Sequence, residues 1–82
     1  MDHPLKYRQL LRILKRFGIY EDKARGKGSE RMLTGFVDGS LERFPTKCHH
    51  ESDEKPRAVI KAIRRRFKLT KADGVSDEEF YS

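Results

Sequence analysis

The dipeptide Asp38-Gly39 constrains this chain more than any other feature. A two-residue turn of this kind needs positive φ at both positions, which Asp-Gly tolerates, so the flanking runs fold back on each other as an antiparallel hairpin. Residues 30–37 predict the first arm, with Met32, Leu33, Phe36 and Val37 as its apolar members. Residues 41–48 predict the second, in which Glu42, Phe44, Thr46 and Cys48 share one face. Pro45 has no amide hydrogen for a ladder, so that arm lies at a sheet edge or stops pairing there. A weaker strand pattern precedes the hairpin at residues 19–25, ending in the turn signal Arg25-Gly-Lys-Gly-Ser29.

Helical periodicity brackets the strands. Tyr7, Leu10, Leu11, Leu14 and Phe17 recur at spacings of three and four, which predicts a helix over 5–17 with Pro4 at its entry and Gly18 at its exit. Val59, Ile60, Ile63 and Phe67 stripe a second helix, and Ala58 and Ala62 permit close packing. Pro56 suits its first turn. Asp53 and Glu54 sit where they favour the positive end of its dipole, and Arg64, Arg65, Arg66 and Lys68 favour the negative end. The order helix, strand, strand, strand, helix predicts an α+β two-layer sandwich, a three-stranded antiparallel sheet with both helices on one face. Residues 1–69 make up this domain and 70–82 an acidic tail. In the tail, Ser76-Asp-Glu-Glu79 has the capping-box pattern ahead of Phe80-Tyr81, and two readings stand: one docked helical turn, or a disordered end.

Charge narrows the partners. Lys and Arg number 19 against 13 Asp and Glu, a net charge of +6 with a pI near 9.7. Residues 5–17 carry five cations and residues 56–68 carry six, with no acid in either stretch, while residues 69–82 sum to −3. A polyanion fits this balance better than a small neutral metabolite. The single Cys48 excludes an internal disulfide and suits a reducing cytoplasm. Residues 1–17 are amphipathic and do not read as a signal peptide, and no apolar run reaches membrane-spanning length.

The residue pair best suited to proton transfer near neutral pH is His49-His50. RNA cleavage by transesterification needs a base for the 2′-hydroxyl, an acid for the leaving oxygen and cations for the phosphate. One imidazole with neighbouring Lys and Arg supplies most of that set. The same pair also reads as two surface histidines in a loop. Cys48, His49, His50, Glu51 and Asp53 are all metal-ligand types, but their spacing matches no standard finger. Arg25-Gly-Lys-Gly-Ser29 lacks P-loop spacing and precedes a strand, so it reads as a cationic turn within reach of a phosphate backbone. Phe36 and Phe44 are core residues on this reading, with base stacking as the alternative.

Several of these elements, in this order, resemble the HicA family of small mRNA interferase toxins. They are the run Tyr7-Arg-Gln-Leu-Leu-Arg-Ile-Leu-Lys-Arg-Phe-Gly18, then Gly26-Lys-Gly-Ser29, then Pro45 and His49. Glu54-Lys-Pro56 follows, leading into Val59-Ile-Lys-Ala-Ile-Arg64, so the resemblance covers residues 5–69. It implies a double-stranded-RNA-binding-domain-like fold, binding and cleavage of mRNA without a cofactor, and neutralisation by a HicB-like antitoxin protein. The chain departs from the family where the usual catalytic histidine follows Gly-Ser of the second strand: here Glu30 follows Gly28-Ser29. The catalytic candidates are therefore His49, Glu30 and His50, and the expected RNA contacts are Arg25, Lys27, Ser29, Lys47, Arg64 and Arg65. The alternative is a catalytically inactive module that binds RNA or a protein with the same fold.

Overall fold

Asp38 and Gly39 both take positive φ, 50° and 83°, and the hairpin they close pairs without interruption from Val37 opposite Ser40 to Glu30 opposite Lys47. The computed structural model describes residues 1–22 and 28–82. In chain order its elements are β1 (Leu5–Lys6), α1 (Tyr7–Arg16), β2 (Tyr20–Glu21), β3 (Glu30–Val37), β4 (Ser40–Lys47), β5 (Glu54–Lys55) and α2 (Arg57–Arg66). A 3₁₀ turn (Lys71–Asp73) and α3 (Asp77–Tyr81) follow. Strands β2, β3 and β4 form one antiparallel sheet in that order. Pro45 lies opposite Met32 on β4, an edge strand, where its missing donor leaves no neighbour unpaired on the open side.

Alternation along the strands divides the sheet into two unlike faces. Leu33, Val37 and Phe44 point to one side and join Leu10, Ile13 and Leu14 of α1 and Ile60 and Ile63 of α2 in a single core. Both helices therefore cover the same face. Gly35 lies on this side, and a Cβ there would meet Ile19 Cγ1 at 2.7 Å, so only glycine lets the buried Ile19 settle on the sheet. The opposite face carries Tyr20 of β2, Met32, Thr34 and Phe36 of β3, and Leu41, Arg43 and Pro45 of β4, and no helix among the described residues packs over it. Phe36 is thus 69% exposed, which corrects the expectation of a core residue, whereas Phe44 does pack into the core.

Other boundaries differ from expectation for local reasons. The first helix begins at Tyr7, because Leu5 and Lys6 are extended and pair with Lys55 and Glu54 of β5. The expected strand over 19–25 is described only as the pair Tyr20–Glu21, and residues 23–27 lie outside the described part. The second arm of the hairpin runs 40–47 and releases Cys48 from the ladder. No acid stands in the first turn of α2: Glu54 is committed to β5 and Asp53 to the turn before it.

The tail is part of the globule. Ser76 Oγ accepts the Glu79 amide at 3.0 Å and starts α3, which delivers Phe80 fully buried against Phe17. Arg64 closes the junction. Its guanidinium donates to Asp2 Oδ1 and Asp77 Oδ1, both at 2.7 Å, to the Leu69 carbonyl at 2.8 Å and to the Val75 carbonyl at 3.2 Å, while lying over the Phe80 ring. A buried charge is tolerated when it is paired and hydrogen-bonded in this way. Among the described residues, no helix is long and apolar enough to cross a membrane.

Candidate nucleic-acid interface

The end of the sheet where β3 begins and β4 finishes gathers the chemistry-bearing residues. Register sets Glu30 directly opposite Lys47, with both side chains exposed. One step outward the Cys48 amide donates to the Ser29 carbonyl at 2.8 Å, which extends the pairing beyond the ladder, and His49 is the next residue after it. A shallow hollow of about 250 Å³ adjoins this rim of the sheet, lined by Glu30, Arg31, Met32, Pro45, Thr46 and Lys47.

The two histidines sit on a turn after the strand has ended, so strand alternation does not set the directions of their side chains. Asp53 builds that turn. Its Oδ2 accepts the amides of both His49 and His50 at 3.0 Å, and the Asp53 amide returns a bond to the His50 carbonyl at 2.9 Å. Side-chain-to-backbone bonds of this kind are how an aspartate fixes a tight turn. The bond from His50, seconded by that from His49, holds the Asp53 carboxyl below its ordinary range. The turn is tied to the rest of the fold as well. The first amides of α1 bond to it, Tyr7 to the Asp53 carbonyl at 2.8 Å and Arg8 to the Glu51 carbonyl at 2.9 Å, and Lys55 Nζ reaches the Lys47 carbonyl. These bonds answer the orphan donors of the α1 N-terminus. Both imidazoles are solvent-exposed, and neither ring has a hydrogen-bond partner among the described residues.

Beneath the rim lies a half-buried polar cluster. The Tyr7 hydroxyl donates to Glu21 Oε1 at 2.6 Å, and Arg31 Nη1 approaches the same carboxylate at 3.3 Å. Burial first, then the Glu21 bond, drives the Tyr7 hydroxyl far above the ordinary tyrosine range, so it stays a donor. Cys48 is buried, its thiol is pushed up by burial, and it donates to the His50 carbonyl. That arrangement makes it a packing residue and not a nucleophile. No group of three or more His, Cys, Asp or Glu side chains among the described residues is placed to hold a metal ion.

The remaining expected contacts divide. Arg65 is exposed on α2. Arg64, one residue earlier, is 3% exposed with its donors taken by Asp2, Asp77 and two carbonyls, which corrects its assignment as an RNA contact. Arg25 and Lys27 lie outside the described residues. Sequence reasoning missed the role of Asp53, although an aspartate three residues after His50 is the kind of signal an Asx-type turn leaves. It also missed the Tyr7–Glu21–Arg31 cluster, which only the fold brings together.

No protein-family model matches the chain, and neither do any curated protein or solved structure.

Proposed function

We propose that this chain is an RNA-binding protein of the HicA type. On this reading it has a double-stranded-RNA-binding-domain-like fold and acts as an mRNA interferase, neutralised in the cytoplasm by a HicB-like antitoxin protein. The observation that carries the reading is the pairing of Glu30 with Lys47 and of Ser29 with Cys48 at one sheet end, followed directly by the His49 turn that Asp53 holds. The resemblance over residues 5–69 and the net charge of +6 support it.

The chemistry follows from what these groups can do. A base at the rim, Glu30 or His49, removes the 2′-hydroxyl proton, and the 2′-oxygen attacks the adjacent phosphorus. The phosphorus–5′-oxygen bond breaks, and the protonated imidazole of His49 returns a proton to the leaving oxygen. Lys47 balances charge on the phosphate, with Arg65 holding the strand farther along. The products are a 2′,3′-cyclic phosphate and a free 5′-hydroxyl. His50, on the same turn, is the reserve acid.

The test is incubation of purified protein with RNA in chelator, with analysis of the ends formed and a parallel growth assay. Loss of cleavage in His49→Ala with retained RNA binding is the expected result. Cleavage and toxicity undiminished in that variant would remove His49 from the mechanism. A second reading, a binding module without cleavage, is favoured by one observation: Glu30 stands where the family carries its catalytic histidine. Tight, salt-sensitive binding of RNA that stays intact would select it.

A further inference from the structure

Apart from Glu30 and Lys47 at its end, the sheet face turned away from the helices has no role in the chemistry just described, yet it is built unlike an ordinary solvent-facing surface. Tyr20 is 53% exposed, Phe36 69% and Leu41 40%. Tyr20 lies opposite Thr34, and Phe36 follows two residues along β3, so the two rings are diagonal neighbours on one face. Such neighbours stand about 7–8 Å apart, within reach of successive bases of an extended strand. Arg43 completes the row Tyr20–Thr34–Arg43 across the three strands and makes no ion pair among the described residues. Thr34, at the centre, is 2% exposed with a hydroxyl that has no hydrogen-bond partner. Glu30 is the only acid among the described strand residues of this face, and it lies at the far end opposite Lys47.

From this arrangement we infer that the open sheet face is a binding platform for unpaired RNA, on which bases stack upon Tyr20 and Phe36 while Arg43 and Lys47 meet the backbone. The inference rests on the RNA-binding reading above and adds to it the substrate class, single-stranded and not duplex. Stacking platforms interleaved with cations are how proteins hold single strands without reading sequence, because every base offers a π face. A duplex presents no unstacked base to such a surface. The charge argues against a second copy of this chain as the occupant. The face carries Arg43 and Lys47 against the one acid Glu30 among its described strand residues, in molecules that each carry +6, so two such faces repel.

The chain contains no tryptophan, so Phe36→Trp installs a single reporter at an exposed site where the fold tolerates it. The probe is an eight-nucleotide single-stranded RNA of mixed sequence, and the same RNA annealed to its complement, each also labelled for anisotropy. Single-stranded RNA should quench Phe36→Trp fluorescence and the duplex should not. Phe36→Ala and Tyr20→Ala should each weaken single-strand binding by about 5- to 150-fold. Phe36→Leu should weaken it comparably, since an apolar side chain without a π face cannot stack. If the wild type binds single-stranded RNA and these variants bind it equally well, the platform is wrong and the RNA-binding reading survives. If the wild type binds no RNA, both fall. If light scattering instead finds a dimer that Phe36→Ala abolishes, the face belongs to a second copy and the inference is overturned.

Discussion

Phe80→Ala tests whether the last thirteen residues belong to the folding unit. Phe80 has no exposed surface, stacks on Phe17 with ring centroids 6.1 Å apart, meets Tyr81 edge-on at 4.9 Å and lies 4.6 Å beneath the Arg64 guanidinium. Truncating a buried phenylalanine to alanine costs about 3–5 kcal/mol, from lost transfer energy plus the cavity left behind. Arg64 would also lose a ring from a site where its charge is desolvated, which places the loss in the upper half of that range. A chain of 82 residues has a total stability of about 4–12 kcal/mol, so one side chain carries a third of it or more. At roughly 4–8 °C per kcal/mol for a domain of this size, Tm should fall by about 15 °C or more. Urea unfolding followed by circular dichroism measures the loss, with exposed Glu78→Ala as the control. A Phe80→Ala change below about 1 kcal/mol would refute the docked tail.

Gly35→Ala should destabilise by about 1–3 kcal/mol, because the new methyl meets Ile19 Cγ1 at 2.7 Å, and the same substitution should cost less on an Ile19→Ala background than in the wild type, read from thermal melts of all four chains. Asp77 is held at about 2, first by its hydrogen bond to the Met1 amine and then by Arg64, against about 3.9 for a free aspartate. A depressed carboxyl stabilises the fold above the unfolded value and loses that contribution as pH falls through the folded one, so near-UV circular dichroism should show the α3 contacts weakening between about pH 4 and 2, less so in Asp77→Asn. Asp53→Ala should strip hydrogen-exchange protection from the His49 and His50 amides and leave the β3–β4 ladder protected. Arg65→Ala should leave Tm unchanged and flatten the salt dependence of RNA binding by about 0.7 in slope, whereas Arg64→Ala should lower Tm steeply.

How much was legible in the sequence follows from how local each cause is. Asp38-Gly39 and the run 30–37 were readable because turn chemistry and strand propensity act on adjacent residues, and the observed β3 begins and ends where the pattern does. The helix stripes were readable because their period is internal to each segment. Arg64 was not. It looks like any member of the Arg64-Arg65-Arg66 run, and its burial is set by Asp2, 62 positions away, and by a tail element that forms only when Phe80 finds the core. The face of Phe36 was equally hidden: β3 carries Met32 and Phe36 on one side and Leu33 and Val37 on the other, so hydrophobicity alone could not say which side meets the helices. At the candidate site, strand pairing accounts for Glu30 and Lys47, but the position of His49 depends on an Asp53 carboxylate whose sequence position suggested a different task.

The same sorting bears on the polyanion argument. Eleven cations in the two basic stretches made the case from sequence, but folding removes several of them from any ligand. Arg64 is buried, Arg16 donates to the Glu79 and Ser82 carbonyls, Lys68 pairs with Asp38, and Arg66 stands 4.0 Å from Glu42. Lys6, Arg8, Arg12, Lys15, Arg57, Lys61 and Arg65 remain exposed with no ion pair among the described residues. They lie on the helical side of the molecule, across the sheet from Phe36 and Arg43. On the proposed reading, electrostatic attraction through the helices and stacking on the open face would therefore act on different sides of the molecule. An RNA long enough to use both must wrap the sheet edge, and the edge nearest the catalytic candidates is the end of β4, where Lys47 and His49 stand. On the proposed reading, a strand crossing there would be bent where in-line attack by a 2′-oxygen requires it, which would give the separation of the two surfaces a mechanistic use.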